Sequence, residues 1–401
     1  MPQPEHVPVP DEWVGRAINP YLGFLTGWLM VAAYVIATVS GVEVLGPSVL
    51  AVFGASSTST AANLAIGTAV GVIMLIIAVV GIRITARTQV GMAVIEYALL
   101  IGFGVAGLVL VLMHHHGTVP VTLGWLSPDG IEGTGSAAAG FLVAMFMFTG
   151  WDGTLYVNEE VTERHRNPGR AAIVAVLALG VIYTLCTVGL QGTVPKVALQ
   201  ANPESALVYT AQAIGGPGWA KVMAFALALS VIATTGTGIV LSARIVYGMA
   251  SRNVLPPFLG NVSSRFGTPV WASILVGVSI VGLTWVYLLA TSVQNAFTDV
   301  VDVTGLLFAI FYALTALATM AYYRRRIFSG LTDAFVLGVL PLGAVAFLAW
   351  VLAKTLSVAP AAQVWSLAGI IGVGVVLMLA ARVLLRPAFF SLPRESDVSR
   401  H

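Results

Sequence analysis

Charge is what this chain holds least of. Asp, Glu, Lys and Arg together make up 9% of its 401 residues, where a soluble domain carries about 25%. Hydrophobic residues make up 58%, and nothing dissolved in water covers that much apolar surface, so lipid must solvate most of the chain. Cysteine is nearly absent too. Cys186 stands alone inside an apolar stretch, which excludes a disulfide or cysteine-based metal framework and leaves a small hydrophobe in a helix. The opening MPQPEHVPVPD lacks the basic start and apolar run of a secretory signal. Neither a His/Glu metal motif nor a nucleophile–base pairing supports an integral-membrane enzyme. No metal, cofactor or nucleic-acid partner is expected, and oligomeric state is not legible.

What is there is a series of long apolar segments. A hydrocarbon core of about 30 Å takes about 20 apolar residues per helix, and ten stretches qualify: 21–43, 62–82, 90–113, 137–159, 171–193, 219–248, 269–290, 297–322, 333–353 and 363–385. Apolar residues surround these segments on all faces, unlike the striped helices of soluble proteins. The short alternating strands of a barrel are not visible. An all-α, polytopic helical membrane protein with ten transmembrane helices is therefore predicted. Gly46-Pro47, Ser127-Pro128-Asp129-Gly130 and Gly215-Gly216-Pro217-Gly218 read as breaks between spans. Gly67-x-x-x-Gly71 and the Gly102/Gly104/Gly107 cluster read as close helix packing. Gly369-Ile-Ile-Gly372-Val-Gly374 lies in unbroken apolar sequence and does not read as a phosphate loop.

The basic residues orient the chain. With the N-terminus inside, all of the 19 Lys and Arg except Lys196, Lys221 and Lys354 fall on the cytoplasmic side. That asymmetry is the positive-inside rule, and it puts both termini in the cytoplasm. The expected organisation is a cytoplasmic segment 1–20, a transmembrane domain 21–386 in the inner (cytoplasmic) membrane, and a cytoplasmic tail 387–401.

Residues 141–170, FLVAMFMFTGWDGTLYVNEEVTERHRNPGR, carry the most information. An apolar helix runs to Phe148, and Thr149-Gly150-Trp151-Asp152-Gly153 interrupts it near mid-membrane. Two glycines flanking an aspartate favour local unwinding. An ionisable group at the bilayer centre costs about 2.5–3.5 kcal/mol on insertion scales, so it faces a polar cavity or a partner. A broken helix frees carbonyls on one side and N–H groups on the other, which suits a small zwitterion or an ion. The alternative is a packing kink whose aspartate bonds a neighbouring helix.

FTGWDGTLYVNEEVTERHRNPGRA resembles the sixth helix and following loop of amino acid–polyamine–organocation permeases, with Glu159, Glu160, Asn167, Pro168 and Arg170 on the family's pattern. Residues 242–272 are similar to the segment between the family's eighth and ninth helices, through Ser242-x-Arg244, Tyr247-x-Met249-Ala250, Leu255-Pro256 and Thr268-Pro269. There the usual Ala-Arg-Asp-Gly is replaced by Ala250-Ser251-Arg252-Asn253. Leu22-Gly23-Phe24-Leu25-x-Gly27-Trp28 resembles the start of the third helix. The resemblance covers roughly residues 12–390. It implies a five-plus-five inverted-repeat transporter fold of twelve helices, onto which the ten spans align as helices three to twelve. The fold is then truncated at the N-terminus, and the first helix, whose glycine-rich break binds the substrate carboxylate in relatives, is not encoded. The facing half remains: the carbonyls near Phe148, the Asp152 carboxylate, and the aromatics Phe146 and Trp151, able to hold an ammonium group. The substrate-binding candidates are Phe146, Phe148, Thr149, Gly150, Trp151, Asp152 and Gly153.

Other polar groups lie in or beside the spans, and the resemblance bears on Glu96 and the threonines of the sixth. Glu96 is the only charge in the third span, where some relatives carry an ionisable residue tied to proton coupling; a structural hydrogen bond is the alternative. Thr234, Thr235 and Thr237 crowd the sixth span, where sodium-coupled relatives use hydroxyls together with first-helix carbonyls. Asp299 and Asp302 sit three apart at the outer end of the eighth span. A helix N-terminus accounts for Asp299, while Asp302 is deeper and is a candidate for lining the path. His114-His115-His116 reads as a solvated cap, since consecutive side chains fan apart. The expected function is secondary active transport of an amino acid or amine, proton-coupled or by exchange. The rival is a non-transporting membrane subunit or an inactive truncated permease, and little uptake is expected from this polypeptide alone.

Overall fold

A computed structural model describes residues 10–55, 59–114, 118–127, 133–156, 161, 163, 166–201, 205–290 and 293–391. Among these, all regular structure is helical. An eight-residue helix α1 (Pro10–Ala17) precedes the long α2 (Pro20–Val52), α3 (Thr60–Val80) and α4 (Ile82–Leu112). The fourth span is α5 (Gly133–Met147) and the short α6 (Gly153–Tyr156). Then come α7 (Asn167–Thr193), α8 (Lys196–Ala201), α9 (Ala206–Ser251), α10 (Val270–Ala290) and α11 (Val293–Tyr322). A one-turn α12 (Leu331–Ala334) leads through a π-turn into α13 (Leu340–Val358), and α14 (Ala361–Ala380) runs into a second π-turn.

Nine helical stretches among the described residues are long and apolar enough to cross a membrane, and Gly133–Met147 is a shorter apolar helix. These are the ten expected spans, with the fourth one broken. Their outer faces are those of a lipid-solvated protein: Ile173, Val174, Leu177 and Val181 line α7 at 63–69% exposure. Water would not tolerate such a stripe. The chain is a multi-pass membrane protein.

The core is built around α2, which packs against α9, α11, α1, α10, α14 and α3. Asn19 caps it, its side chain accepting from the Tyr21 amide at 2.8 Å, and Pro20 supplies a first helical position that needs no N–H. Phe24, Met30, Tyr34 and Val39 of α2 are buried with Ile239 and Ile245 of α9 and Leu306 and Phe308 of α11. A smaller cluster joins Phe103 of α4 to Met223 and Ala226 of α9.

Two boundaries differ from the sequence reading. Gly46-Pro47 does not end a span: α2 continues through Pro47 to Val52, because neighbouring helices support the backbone of a proline inside a membrane helix. The turn between α3 and α4 is the single residue Gly81, with φ +148°, a conformation open to glycine. Arg83 and Arg87 therefore lie in the first turns of α4 rather than in a loop. The Gly215-Gly216 pair does break the chain, as a kink inside α9 with Gly216 at φ 76°. Pro128-Asp129-Gly130 lies outside the described residues.

Close packing by small residues holds at the α4–α7 crossing. A Cβ on Gly107 would lie 2.5 Å from the Cα of Gly189, and one on Gly104 would lie 2.6 Å from Leu185 Cγ. Gly67 and Gly71 likewise face Val42 and Val281. Gly102 does not take part, since a Cβ there meets nothing within 4 Å. Asn253, where the family has glycine, sits at φ 61°, the left-handed region that asparagine tolerates best after glycine.

Candidate functional site

The helix of the fourth span stops at Met147, and Phe148–Asp152 form turns before α6 begins. Gly150 takes φ +99°, and a Cβ on it would meet nothing within 4 Å. Its backbone, rather than crowding, is what calls for glycine there. Local bonds tie off much of the broken backbone. The Phe146 carbonyl accepts from the Thr149 amide at 3.1 Å and its hydroxyl at 2.7 Å. The Gly150 carbonyl accepts from the Gly153 amide at 3.0 Å. Tyr183 of α7 donates to the Met147 carbonyl at 2.9 Å. Among the described residues no donor meets the carbonyls of Phe148 and Thr149.

Asp152, only 2% exposed, is enclosed by three phenols. Tyr34 of α2 and Tyr156 of α6 each donate to Oδ2 at 2.9 Å, and Tyr312 of α11 donates to Oδ1 at 3.2 Å. A carboxyl group without partners would be prohibitively costly at this depth, whereas hydrogen bonds on both oxygens offset its desolvation. The rings form a collar around it. Trp151 stacks on Tyr312 at 5.6 Å between centroids with 20° between planes. Phe308 also stacks on Tyr312, at 5.8 Å, and Tyr34 meets Phe308 edge-on at 5.6 Å. The break is thus fastened to α2 and α11 through one carboxylate.

The other candidates are dispersed around this collar. Gly153 is buried against α9, where a Cβ would lie 2.8 Å from Leu241 Cδ1. The Phe148 ring turns toward Tyr183 of α7, at 5.3 Å, and Phe146 is half-buried. Thr154 anchors α6 to the start of α7, its hydroxyl reaching the carbonyls of Trp151 at 3.0 Å and Pro168 at 3.1 Å. Asn167-Pro168 open α7, with the proline in its first turn, where a missing N–H is harmless. Glu159 and Glu160 lie outside the described residues.

Glu96 sits apart from the collar, half-buried on α4 with the Ser230 hydroxyl of α9 against its carboxyl group. Two turns earlier Gln89 donates to the Ala233 carbonyl at 2.9 Å, so α4 and α9 share a polar seam. Tyr183 lies within electrostatic reach of Glu96 while bonded to Met147. Thr234 and Thr235 do not converge: Thr234 is exposed, whereas Thr235 is buried and donates to Val231 of its own helix at 2.8 Å. Thr237 likewise donates back to Ala233 at 3.1 Å. Asp302 is half-buried on α11, ten positions and about 15 Å along the helix from Tyr312. The Asp299 side chain and His115-His116 lie outside what is described. His114 Nδ1 rests 3.0 Å from the Leu112 carbonyl.

Sequence reasoning missed Tyr34, Tyr156 and Tyr312. A tyrosine in an apolar run reads as core, and only Tyr156, four residues after Asp152, stood at helical spacing from it.

Comparison with known proteins accords with this architecture. The amino acid permease family model matches residues 12–381. The chain is similar to the D-serine/D-alanine/glycine transporter of Escherichia coli K12, at 22% identity over 325 residues, 79% of this chain and 67% of that protein. It is 26% identical over 188 residues to the mouse Asc-type amino acid transporter 1, covering 46% of this chain and 34% of the mouse protein. To the vacuolar cationic amino acid transporter 4 of Arabidopsis thaliana it is 24% identical over 277 residues, 64% of this chain and 44% of that one. With a family model spanning nearly all of its helices, the chain belongs to the amino acid permease family.

Proposed function

We propose that the protein is a secondary active transporter carrying a small neutral amino acid across the cytoplasmic membrane, with the broken fourth span as its substrate site. The observation that carries this reading is the state of Asp152. At 2% exposure and with both oxygens hydrogen-bonded to Tyr34, Tyr156 and Tyr312, its carboxyl group is shut off from a cationic side chain in the break. The open carbonyls of Phe148 and Thr149 suit an ammonium group, and the Trp151 ring provides a face for a small side chain or the cation itself. The similarity to a D-serine/D-alanine/glycine transporter supports such a site. Asp152 then acts as a latch: rocking one bundle against the other requires the break to part from α2 or α11. Glu96 is the proposed proton carrier, at a junction of α4 and α9 that movement would open. The Arg324-Arg325-Arg326 turn, residues 1–20 and residues 387–401 face the cytoplasm on this reading.

Uptake of radiolabelled serine, alanine, glycine and arginine by cells expressing the protein tests it. Saturable uptake of the small neutral amino acids, uncompeted by arginine, is the expected result. No uptake of them, or a preference for arginine, would contradict the proposal.

A further inference from the structure

A cavity of about 800 Å³ lies between α2, α9, α10 and α14, and none of the collar residues lines it. Its floor is formed by Val31 and Val35 of α2, Leu259 of the turn between α9 and α10, and Val276 of α10, all buried. Its rims, Leu275 of α10 and Val373 of α14, are about half exposed, at 47% and 50%. The cavity is therefore a groove open along its side to the surrounding lipid. Along α2 it runs from Phe24 to Val39, about 22 Å at 1.5 Å per residue. That compares with about 15 Å for half of a 30 Å hydrocarbon core.

The hydroxyls of Ser279 and Ser366 and the indole N–H of Trp28 in the groove's wall are already spent. Ser279 donates to the Leu275 carbonyl at 2.8 Å and Ser366 to that of Ala362 at 2.9 Å. The Trp28 indole donates to Ile370 at 2.8 Å. An amino acid would find no partner here, whereas a hydrocarbon chain would leave nothing unsatisfied. At the end nearest Phe24 and Leu377 the chemistry changes. Arg382 follows Leu377 on the π-turn after α14, with its guanidinium 5.2 Å from the centre of the Tyr21 ring, one turn before Phe24. Arg252, at the C-cap of α9, lies just before Leu255 and Pro256, which line the same end.

We infer that this groove is a binding site for an anionic phospholipid of the cytoplasmic leaflet. An acyl chain lies against Val31, Val35 and Val276, and the phosphate lies beside Arg382 and Arg252. Basic side chains at the inner mouth of a cleft between spans are the arrangement that recognises anionic headgroups. The leaflet assignment rests on the orientation proposed above; the site itself does not depend on transport.

The test is thermal stabilisation of the delipidated, detergent-purified protein by phosphatidylglycerol and by phosphatidylcholine with the same chains, with native mass spectrometry alongside. The parent should be stabilised more by phosphatidylglycerol and should retain one such lipid. A Cβ on Gly369 meets nothing within 4 Å, so Gly369→Leu has room at its Cβ and should project into the groove. That variant should lose the response to both lipids and remain monodisperse. Arg382→Gln should keep a lipid response but lose the preference for phosphatidylglycerol. Equal responses of the parent to the two lipids would overturn the inference. So would an undiminished response in Gly369→Leu, or loss of a dimer rather than of a lipid in that variant, which would make the groove a contact between copies.

Discussion

The phenol of Tyr312 on α11 donates to Oδ1 of Asp152 at 3.2 Å, so a residue 160 positions further along the chain holds the carboxylate of the broken span. The same ring stacks on Trp151, the neighbour of that carboxylate. Hydrogen bond and stack together join α11 to the break. Tyr312→Phe keeps the stack and removes the bond. Losing a hydrogen bond of this kind costs about 1–3 kcal/mol, so the variant should melt below the parent in detergent. Asp152→Ala should cost more, because it strands three phenols at once. Equal melting of all three proteins would mean the collar does not hold the break.

Gly150 separates backbone need from space. Its φ of +99° is unfavourable for a side chain, yet nothing lies within 4 Å of a Cβ there. Gly150→Leu should lose about 1–2 kcal/mol in backbone strain and still elute as a monodisperse species. Its binding of substrate, followed by calorimetry, should be abolished because the turn that exposes the Phe148 and Thr149 carbonyls is displaced. Binding at the parent's affinity would assign those carbonyls no part.

The α4–α7 crossing should respond differently. Gly107 and Gly189 meet backbone to backbone, with 2.5 Å left for a Cβ. Gly107→Val must push the helices apart, and overpacking of this kind costs about 1–3 kcal/mol. Thermal melting reads that loss, whereas Gly102→Val, at a position with open space, should melt with the parent.

Glu96 gives a functional prediction separate from stability. Its carboxyl group lies against Ser230 of α9, and the proposed role has it take up and release a proton as α4 moves against α9. Glu96→Gln keeps the shape and the hydrogen bond but cannot titrate. Uptake by this variant should lose its dependence on external pH while exchange of substrate across the membrane continues. An unaltered pH profile would make Glu96 a structural contact.

The spans were legible because lipid demands apolar residues on every face, a pattern that survives in composition alone. The break was legible too, since Gly150 and Asp152 are costly in a continuous membrane helix. The collar was not. Tyr34 and Tyr312 reach Asp152 from 118 and 160 positions away, and no local spacing announces such a meeting. Pro47 and Gly81 show the same limit on a smaller scale. Whether a proline passes through a helix, or one glycine turns the chain, depends on neighbours contributed by other spans.

The most direct measurement of the central claim is the concentration dependence of serine uptake in the parent, in Trp151→Ala and in Phe141→Ala. Trp151 lies in the break and stacks on Tyr312. Phe141, on the same span, packs against Phe347 and Trp350 of α13. An aromatic face on a desolvated ammonium is worth about 1–2 kcal/mol, so Trp151→Ala should raise the half-saturating serine concentration about tenfold, or abolish uptake, at equal amounts of protein in the membrane. Phe141→Ala should transport as the parent does. Uptake by Trp151→Ala indistinguishable from the parent's would contradict the assignment of the broken span as the substrate site.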